Sequence, residues 1–219
     1  MGENKLNING HPEQLNFDPE KLNFKTFKIK KNQFLFLEGS QPGGLYYIKN
    51  GKVKLFKMGI DGKEKILKIA KEGSFIGYTD LINNTEYTRS AKTMEETTLY
   101  FIAKDDFDDM LNSKDIMFYF FKLASVDLAN TEEDLVNMAY KPVRGRLIEA
   151  LLEHNDGNEN DILTVNLSRE DLASIIGSAT ETVIRLLSDF KRDNLISIKG
   201  RMISVLDNNR LSYFKNIYN

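Results

Sequence analysis

The chain has 219 residues, 41% hydrophobic and 28% charged, the composition of an ordinary globular protein long enough for two small domains. Its lack of cysteine excludes disulfides, thiolate-held zinc and cysteine-ligated iron–sulfur clusters. A formal net charge of −2 argues against indiscriminate binding of polyanions. No run of about 18 apolar residues predicts a membrane span. The polar N-terminus lacks a signal-peptide core, so we expect a cytoplasmic protein.

Residues 1–20 show no firm pattern, and we interpret them as a loosely packed lead-in. Between Phe27 and Phe101, short strings of strand-forming residues alternate with glycine turns. Asn50–Gly51 and Asp61–Gly62 are dipeptides that supply the positive φ angles of tight hairpins. Several short strands with such turns predict an antiparallel sandwich or jelly roll.

A helical region follows, with a short helix predicted over 105–111 and a long one from about Asp115 to Tyr140. Two series of residues, apolar except for Thr131, repeat every seven positions along the long helix: Phe121, Leu128 and Leu135, and Ala124, Thr131 and Met138. Such a seam predicts a two-stranded coiled coil, with Thr131 as a polar residue that sets register or contacts a ligand. The alternative is a helix packed on its own domain. We expect Phe118, Phe120 and Phe121 to pack against the β domain.

Lys141–Pro142 ends the long helix, because proline disfavours helical backbone in the residue before it. A helix over 143–154, a strand over 162–167 and a final helix over 208–217 are predicted in the remainder. Residues 141–219 contain eleven Lys or Arg and eleven Asp or Glu, so this part is not basic as a whole. Any affinity for DNA must therefore come from locally placed side chains.

Two helix-start signals lie ten residues apart within this part of the chain. Ser168 with Asp171, and Ser178 with Glu181, both fit the capping box, and Gly177 between them ends the first helix. Two short helices joined by a glycine turn form the helix-turn-helix layout. The following strand–turn–strand pattern, 195–206, predicts a wing. We expect Lys199 and Arg201 at its tip to contact phosphates.

The second of these helices has two distinct faces at about 100° per residue. One face collects Val183, Leu186, Leu187 and Phe190, and the opposite face collects Glu181, Arg185, Ser188 and Arg192. In a recognition helix, an arginine can bind guanine O6 and N7 while a glutamate accepts from the cytosine amine. The alternative is an ordinary amphipathic helix carrying an i,i+4 ion pair.

A β roll, a long helix with a heptad seam and a winged helix-turn-helix, in this order, resemble the cAMP receptor protein/FNR family of bacterial transcription regulators. GGLYYIKNGKVKLF resembles the third and fourth roll strands of that family. GSFIGYTDLINNTEYTRSA resembles its phosphate-binding cassette, and SREDLASIIGSATETVIRLLSDFKRDNLI resembles its DNA-reading motif. The resemblance covers about 27–206 and is closest to a subgroup with an altered nucleotide pocket.

The resemblance implies that Glu181 and Arg185 read the inner base pairs of each DNA half-site. Thr180 stands where the family often has arginine, and Ile184 stands where it usually has glycine or serine. The outer bases therefore stay open, although Ile184 could contact a thymine methyl. Arg169 matches a residue that commonly contacts phosphate or base, with a solvated surface arginine as the alternative. The predicted DNA-contacting set is completed by Ser178, Ser188, Lys199 and Arg201.

The effector pocket is where the chain departs most from cAMP-binding members, whose cassette offers a Gly-Glu pair to the ribose and an Arg-Ser pair to the cyclic phosphate. Arg89 and Ser90 are kept, but Gly77 is followed by Tyr78. Thr131 matches a threonine that contacts adenine. The serine beside it is replaced by Glu132, which could reject an anionic ligand or pair with Arg89. We therefore expect a small anionic effector other than cAMP, with a structural ion pair as the alternative role of Arg89.

These observations predict an α+β protein with three parts: a jelly-roll (double-stranded β-helix) sensor domain over 1–113, a dimerisation helix over 114–140 and a winged helix-turn-helix domain over 141–219. The predicted function is a homodimeric, sequence-specific transcription regulator on a pseudo-palindromic site, with RNA polymerase as a further partner. The alternatives are an effector-independent regulator and a ligand-binding regulatory module that never contacts DNA. No catalytic set, phosphate loop or metal cluster is recognisable, since His11 and His154 are far apart, so we expect neither an enzyme nor a metal site.

Overall fold

The computed structural model describes residues 24–155, 158–159 and 162–217. The predicted lead-in over 1–20 lies outside these residues. The described residues form two compact units. The first consists of the residues up to Gly59 together with Ile66–Glu132, and the second consists of Ile60–Lys65 together with the residues from Glu133 onward.

The first unit contains two antiparallel four-stranded sheets. The strands within the described residues are β1 Lys25–Ile29, β2 Phe34–Phe36, β3 Gly44–Asn50, β4 Val53–Met58, β5 Glu64–Ala70, β6 Phe75–Ile76, β7 Ser90–Thr93 and β8 Thr97–Ala103. One sheet has the order β1-β8-β3-β6 and the other has the order β2-β7-β4-β5. The predicted jelly roll is confirmed.

One of the two predicted hairpins is wrong. Asp61–Gly62 does connect neighbouring strands, β4 and β5, but Asn50–Gly51 connects β3 and β4, which lie in different sheets. Gly51 has φ +102°, and a Cβ there would lie 2.6 Å from Thr97 Oγ1. The glycine is therefore needed where the chain passes from one sheet to the other, a position that the dipeptide alone cannot distinguish from a hairpin turn.

The sheet β1-β8-β3-β6 carries an apolar cluster on each face, because alternate residues of a strand point to opposite sides. Leu45 and Tyr47 belong to a cluster shared with three helices, whereas Ile48 belongs to the cluster inside the roll. The helices are α1 Tyr78–Ile82, α2 Lys104–Met110 and α3 Lys114–Tyr140. This packing holds α1 and the first half of α3 against the roll.

Helix α3 buries one face and exposes another. Tyr119, Phe120 and Leu123 are buried in the cluster shared with the roll. Phe118 and Phe121 are 66% and 67% exposed, so the prediction that all three phenylalanines pack on the roll holds for Phe120 alone. The reason is helical geometry, since neighbouring residues point about 100° apart. No helix in the described part of the chain is both long and apolar enough to cross a membrane.

The second unit contains four helices and a small sheet within the described residues. Its elements are α4 Val143–Glu153, β9 Asn158–Glu159, β10 Ile162–Val165, α5 Arg169–Ile176, α6 Thr180–Arg192, β11 Ile196–Lys199, β12 Met202–Val205 and α7 Asn208–Ile217. The sheet order is β11-β12-β10-β9, and α4 packs against α5 and α7. The predicted helix-turn-helix is α5 and α6, and the predicted wing is β11 and β12.

The first predicted helix cap is confirmed and the second is wrong. Ser168 is the N-cap of α5, and its Oγ accepts a hydrogen bond from the Asp171 backbone N–H at 2.9 Å. The N-cap of α6 is Ala179, not Ser178. The Ser178 N–H instead donates to the Ala173 carbonyl at 3.0 Å. Ser178 thus belongs to the end of α5, which leaves the next residue to begin α6.

Candidate nucleic-acid interface and effector pocket

Helix α6 divides into the two faces that its sequence predicts. Val183, Leu187 and Phe190 are buried in the second unit, and Leu186 is half-buried. The opposite face exposes Glu181, Ile184, Arg185 and Ser188, with Thr180 half-buried at the helix start. A 13-residue helix with one buried stripe and one polar face is suited to lie in a groove.

The acid and the base of this face are not paired with each other. Among the described residues, Arg192 pairs with Asp189 at 2.8 Å, but Glu181 and Arg185 form no mutual ion pair. The ordinary i,i+4 pair of a surface helix is therefore absent from this position. Ser188 donates its hydroxyl hydrogen to the Ile184 carbonyl at 2.9 Å, which leaves its oxygen to accept. Half-buried Ser178 lies in the turn before α6.

The wing presents two exposed cations at a tight turn. β11 and β12 are antiparallel, with Lys199 opposite Met202, so Gly200 and Arg201 form the turn. Gly200 has φ +61°, a conformation that glycine adopts without strain. Lys199 and Arg201 are exposed, which is the placement that phosphate contacts require.

Arg169, the first residue of α5, reaches this turn. Its Nη1 donates to the Arg201 carbonyl at 3.0 Å, and its Nη2 donates to the Gly200 carbonyl at 3.2 Å. Neither of the two predicted roles, a DNA contact or a solvated surface arginine, includes this bond. In this structure the guanidinium connects the first helix of the helix-turn-helix to the wing.

The heptad seam of α3 is largely exposed. Phe121, Leu128 and Leu135 are 67%, 61% and 70% exposed. Of the second series, Thr131 is exposed, and Ala124 and Met138 are half-buried. Because Phe121, Leu128 and Leu135 stay exposed, packing of α3 on its own domain does not account for this part of the seam. An exposed apolar row on a 27-residue helix is typical of a dimer interface.

The predicted effector pocket is a small cavity in the roll. It is lined by eleven residues: Phe36, Leu55, Lys68, Phe75, Ile76, Gly77, Tyr78, Thr79, Asp80, Arg89 and Asp127. Its volume of about 20 Å³ is little more than one water molecule needs. Of the predicted effector-binding residues, Gly77, Tyr78 and Arg89 line the cavity.

Tyr78 lines the pocket and bonds to the long helix. Its side chain is 3% exposed, and its hydroxyl donates to Asp127 Oδ2 at 2.9 Å. Lys68 Nζ donates to the other oxygen, Asp127 Oδ1, at 2.6 Å. Burial and the adjacent Asp127 carboxylate raise the pKa of Tyr78 well above its ordinary value, so the hydroxyl stays a donor. This cluster ties α1 and β5 to α3.

The remaining predicted effector residues have other contacts. Arg89 Nε is 3.5 Å from Thr88 Oγ1, and no ion pair joins Arg89 to Glu132 within the described chain. Buried Ser90 accepts a hydrogen bond from the Glu38 N–H at 3.0 Å. Thr131 donates to the Asp127 carbonyl at 2.7 Å, and Glu132 is exposed. The structure therefore does not bring Thr131 and Glu132 to the cavity wall.

Comparison with known protein families finds a match in each of the two units. Residues 26–114 match the family described as cyclic nucleotide-binding domain, and residues 145–214 match the Crp-like helix-turn-helix domain. This pairing of domains is that of one regulator family. The chain carries both domains of the CRP/FNR regulators. Its C-terminal domain is therefore of a DNA-binding type, and its relatives are transcription regulators.

Two curated CRP/FNR relatives span most of the chain. The anaerobic regulatory protein of Bacillus subtilis is 26% identical over 185 residues, covering 80% of this chain and 78% of that protein. The cAMP-activated global transcriptional regulator CRP of Salmonella typhimurium is 29% identical over 187 residues, covering 81% and 88%. FixK2 from Bradyrhizobium japonicum shares the fold, with a TM-score of 0.78 at 19% identity, over 87% of this chain and 96% of that one.

Three side chains around the CRP/FNR pocket were missed by sequence reasoning: Lys68, Asp80 and Asp127. Asp80 is 2% exposed and accepts from the Thr88 hydroxyl at 2.8 Å, which holds the loop before Arg89. Asp127 lies one helical turn before Thr131, so the i,i−4 spacing could have drawn attention to it. Lys68 carries no comparable signal, because its partner is 59 residues away.

Proposed function

We propose that this CRP/FNR protein is a sequence-specific transcription regulator that binds a pseudo-palindromic DNA site as a homodimer. The observation that supports it most directly is the exposed face of α6, where Glu181 and Arg185 stand ready for base edges. Arg185 would bind guanine O6 and N7, and Glu181 would accept from a cytosine amine. Exposed Ile184 is suited to a thymine methyl.

The polar neighbours of that face would set the register on DNA. Ser178, Thr180 and Ser188 surround the two reading residues along the turn and the helix. Lys199 and Arg201 on the wing would bind phosphates, which position the domain without reading sequence. With eleven cations balanced by eleven anions over 141–219, affinity has to come from such local contacts.

The homodimer would form along α3, through the seam of Phe121, Ala124, Leu128, Thr131, Leu135 and Met138. A second copy of the same helix is the partner that a heptad seam matches. Two α6 helices would then enter successive major grooves, about 34 Å apart on one face of the duplex. Such a regulator acts in the cytoplasm, and RNA polymerase is the further partner that we expect.

Replacing Arg185 by alanine tests the assigned reading face. We expect the Arg185→Ala variant to lose about 1–3 kcal/mol of specific binding to the DNA upstream of its own gene, because a bidentate base contact is removed. Gel shifts with specific and scrambled duplexes measure the loss. Arg192→Ala is the matched control, since Arg192 is exposed on the same helix but pairs with Asp189.

Unchanged binding by Arg185→Ala would show that another surface reads the sequence. If the wild-type protein shifts no duplex, the alternative of a regulatory module that never contacts DNA is favoured. The fold should be intact in both variants, because Arg185 and Arg192 are exposed and contribute no buried surface.

The roll would act as the sensor for an effector other than cAMP. Tyr78 stands where cAMP-binding members offer a carboxylate to the ribose, and its hydroxyl bonds to Asp127 at the pocket wall. The volume of about 20 Å³ leaves no room for a nucleotide. A small anion bound to Arg89 fits this cavity better than a nucleotide does. The small volume of the cavity also favours the alternative of an effector-independent regulator.

Calorimetric titration with cAMP tests the effector assignment. We expect no binding at micromolar cAMP, because a nucleotide would have to displace Tyr78 and break the Tyr78–Asp127 hydrogen bond. The same titration is repeated on the DNA-bound protein, so that cAMP binding restricted to the DNA-bound state is also detected. Micromolar affinity coupled to tighter DNA binding would overturn the assignment.

A further inference from the structure

The Arg169 guanidinium is held by two backbone carbonyls rather than left in solvent. The two distances, 3.0 and 3.2 Å, end on the consecutive residues Arg201 and Gly200. A planar guanidinium presents two parallel N–H donors to neighbouring acceptors in a rigid fork, whereas an ammonium group meets two acceptors with a different geometry. The contact at this position therefore uses the fork geometry of arginine.

Both ends of this contact have a defined purpose in the fold. On one side, Arg169 follows Ser168, whose Oγ caps α5, and Leu167 before it is buried, so the base of the side chain is fixed. On the other side, Gly200 and Arg201 form the exposed wing turn. Holding the turn carbonyls fixes the direction in which the wing tip points.

We propose that Arg169 is a positioning residue, which holds the wing tip so that Lys199 and Arg201 meet the phosphates of one DNA strand. Its own positive charge is engaged by the Gly200 and Arg201 carbonyls and does not bind phosphate. This inference rests on the proposed DNA-binding function. It assigns Arg169 an indirect effect that passes through the two wing cations.

A double-mutant cycle separates this role from a direct contact. Dissociation constants and their salt dependence are measured for wild type, Arg169→Ala, Lys199→Ala/Arg201→Ala and the triple variant on one duplex. We expect Arg169→Ala to weaken binding about two- to tenfold in the wild-type background, the net worth of one or two hydrogen bonds. In the background without wing cations, the same change should have almost no effect. Arg210→Ala controls for the loss of one charge.

The salt dependence and a conservative variant give independent readouts. If Arg169 contacted a phosphate directly, Arg169→Ala would reduce the magnitude of the slope of log affinity against log salt by about 0.9 in both backgrounds. The positioning role predicts that Arg169→Ala reduces the magnitude of this slope only while Lys199 and Arg201 are present. Arg169→Lys, which keeps the charge but lacks the planar fork, should recover at most part of the lost affinity. Equal losses in both backgrounds would overturn the proposal.

The wing can also be observed without DNA, which separates failure of this inference from failure of the proposed function. In the free full-length protein, NMR order parameters of the Gly200 and Arg201 amides should fall in Arg169→Ala toward the flexible range, below about 0.6. They should be unchanged in Arg210→Ala. Unchanged order in Arg169→Ala would refute the positioning role even if the wild-type protein bound no duplex.

Discussion

At the scale of single residues, sequence reasoning identified which side chains depart from the CRP/FNR pattern but not where they go. That Tyr78 replaces a ribose-binding carboxylate follows from the cassette resemblance. Its inward orientation does not, because the partner Asp127 lies 49 residues away in the chain. Arg169 is similar, since its carbonyl acceptors are 31 and 32 residues away. Long-range polar pairs leave no periodic pattern in the sequence, whereas faces of helices do.

The protonation of Tyr78 predicts a pH dependence that can be isolated with Tyr78→Phe. Folding raises the pKa of Tyr78. The stability that the neutral Tyr78 hydroxyl contributes is therefore fully present below the unfolded pKa of about 10, and it is lost as pH rises above that value. The stability difference between wild type and Tyr78→Phe should therefore shrink by about 1.4 kcal/mol between pH 8 and pH 11. Urea unfolding at the two pH values measures it, with Tyr213→Phe, a 65% exposed tyrosine, as control. A difference that does not change with pH would show that Tyr78 ionises in the folded protein.

At the scale of elements, helix periodicity and breaker residues predicted most boundaries within one or two residues. The long helix, the helix-turn-helix, the wing and the last helix were all located, since each carries a strong local signal. The errors lie where tertiary context decides. Ser178 closes α5 rather than capping α6, and Asn50–Gly51 connects two sheets rather than two paired strands. Local chemistry is the same in both cases, so only the fold distinguishes them.

A buried ion pair in the second unit makes α4 sensitive to a single substitution. Lys141 Nζ and Glu149 Oε1 are 2.6 Å apart, with side chains only 8% and 9% exposed, and Lys215 of α7 lies 3.7 Å from the same oxygen. Glu149→Gln should destabilise the protein by about 3–5 kcal/mol, because it leaves the Lys141 ammonium buried without a counter-charge. Urea unfolding followed by circular dichroism measures the loss.

The matched control for this pair is Glu96→Gln, since the Lys28–Glu96 pair is more than 60% exposed on both sides. Its loss should cost at most about 1 kcal/mol. The combined change Lys141→Met with Glu149→Leu should recover most of the stability lost in Glu149→Gln, because it removes both charges. Equal effects of Glu149→Gln and Glu96→Gln would show that solvent screens the buried pair.

At the scale of the whole molecule, the proposed homodimer would turn one reading helix into a regulator of a two-part site. The buried face of α3, with Phe120 and Leu123, completes the core of the first unit. Phe121, Leu128 and Leu135 on another face of the helix stay exposed. One sequence pattern predicted the seam, but the division of labour between two faces of one helix became visible only with the exposure of each residue. A single half-site contact gives less affinity and less specificity than two that are linked by a dimer.

Replacing Leu128 and Leu135 by lysine should separate the dimer while leaving each chain folded. Both side chains are exposed, so the substitution removes seam contacts between copies but no core packing. Sedimentation analysis should show monomers, with circular dichroism and melting unchanged. Val136→Lys, at a 56% exposed position beside the seam, should remain dimeric.

Wild-type protein should lose affinity when about five base pairs are inserted between half-sites, because the second half-site rotates to the opposite side of the duplex. The monomeric variant should bind weakly and be insensitive to the insertion. A lysine double variant that stays dimeric would place the interface elsewhere.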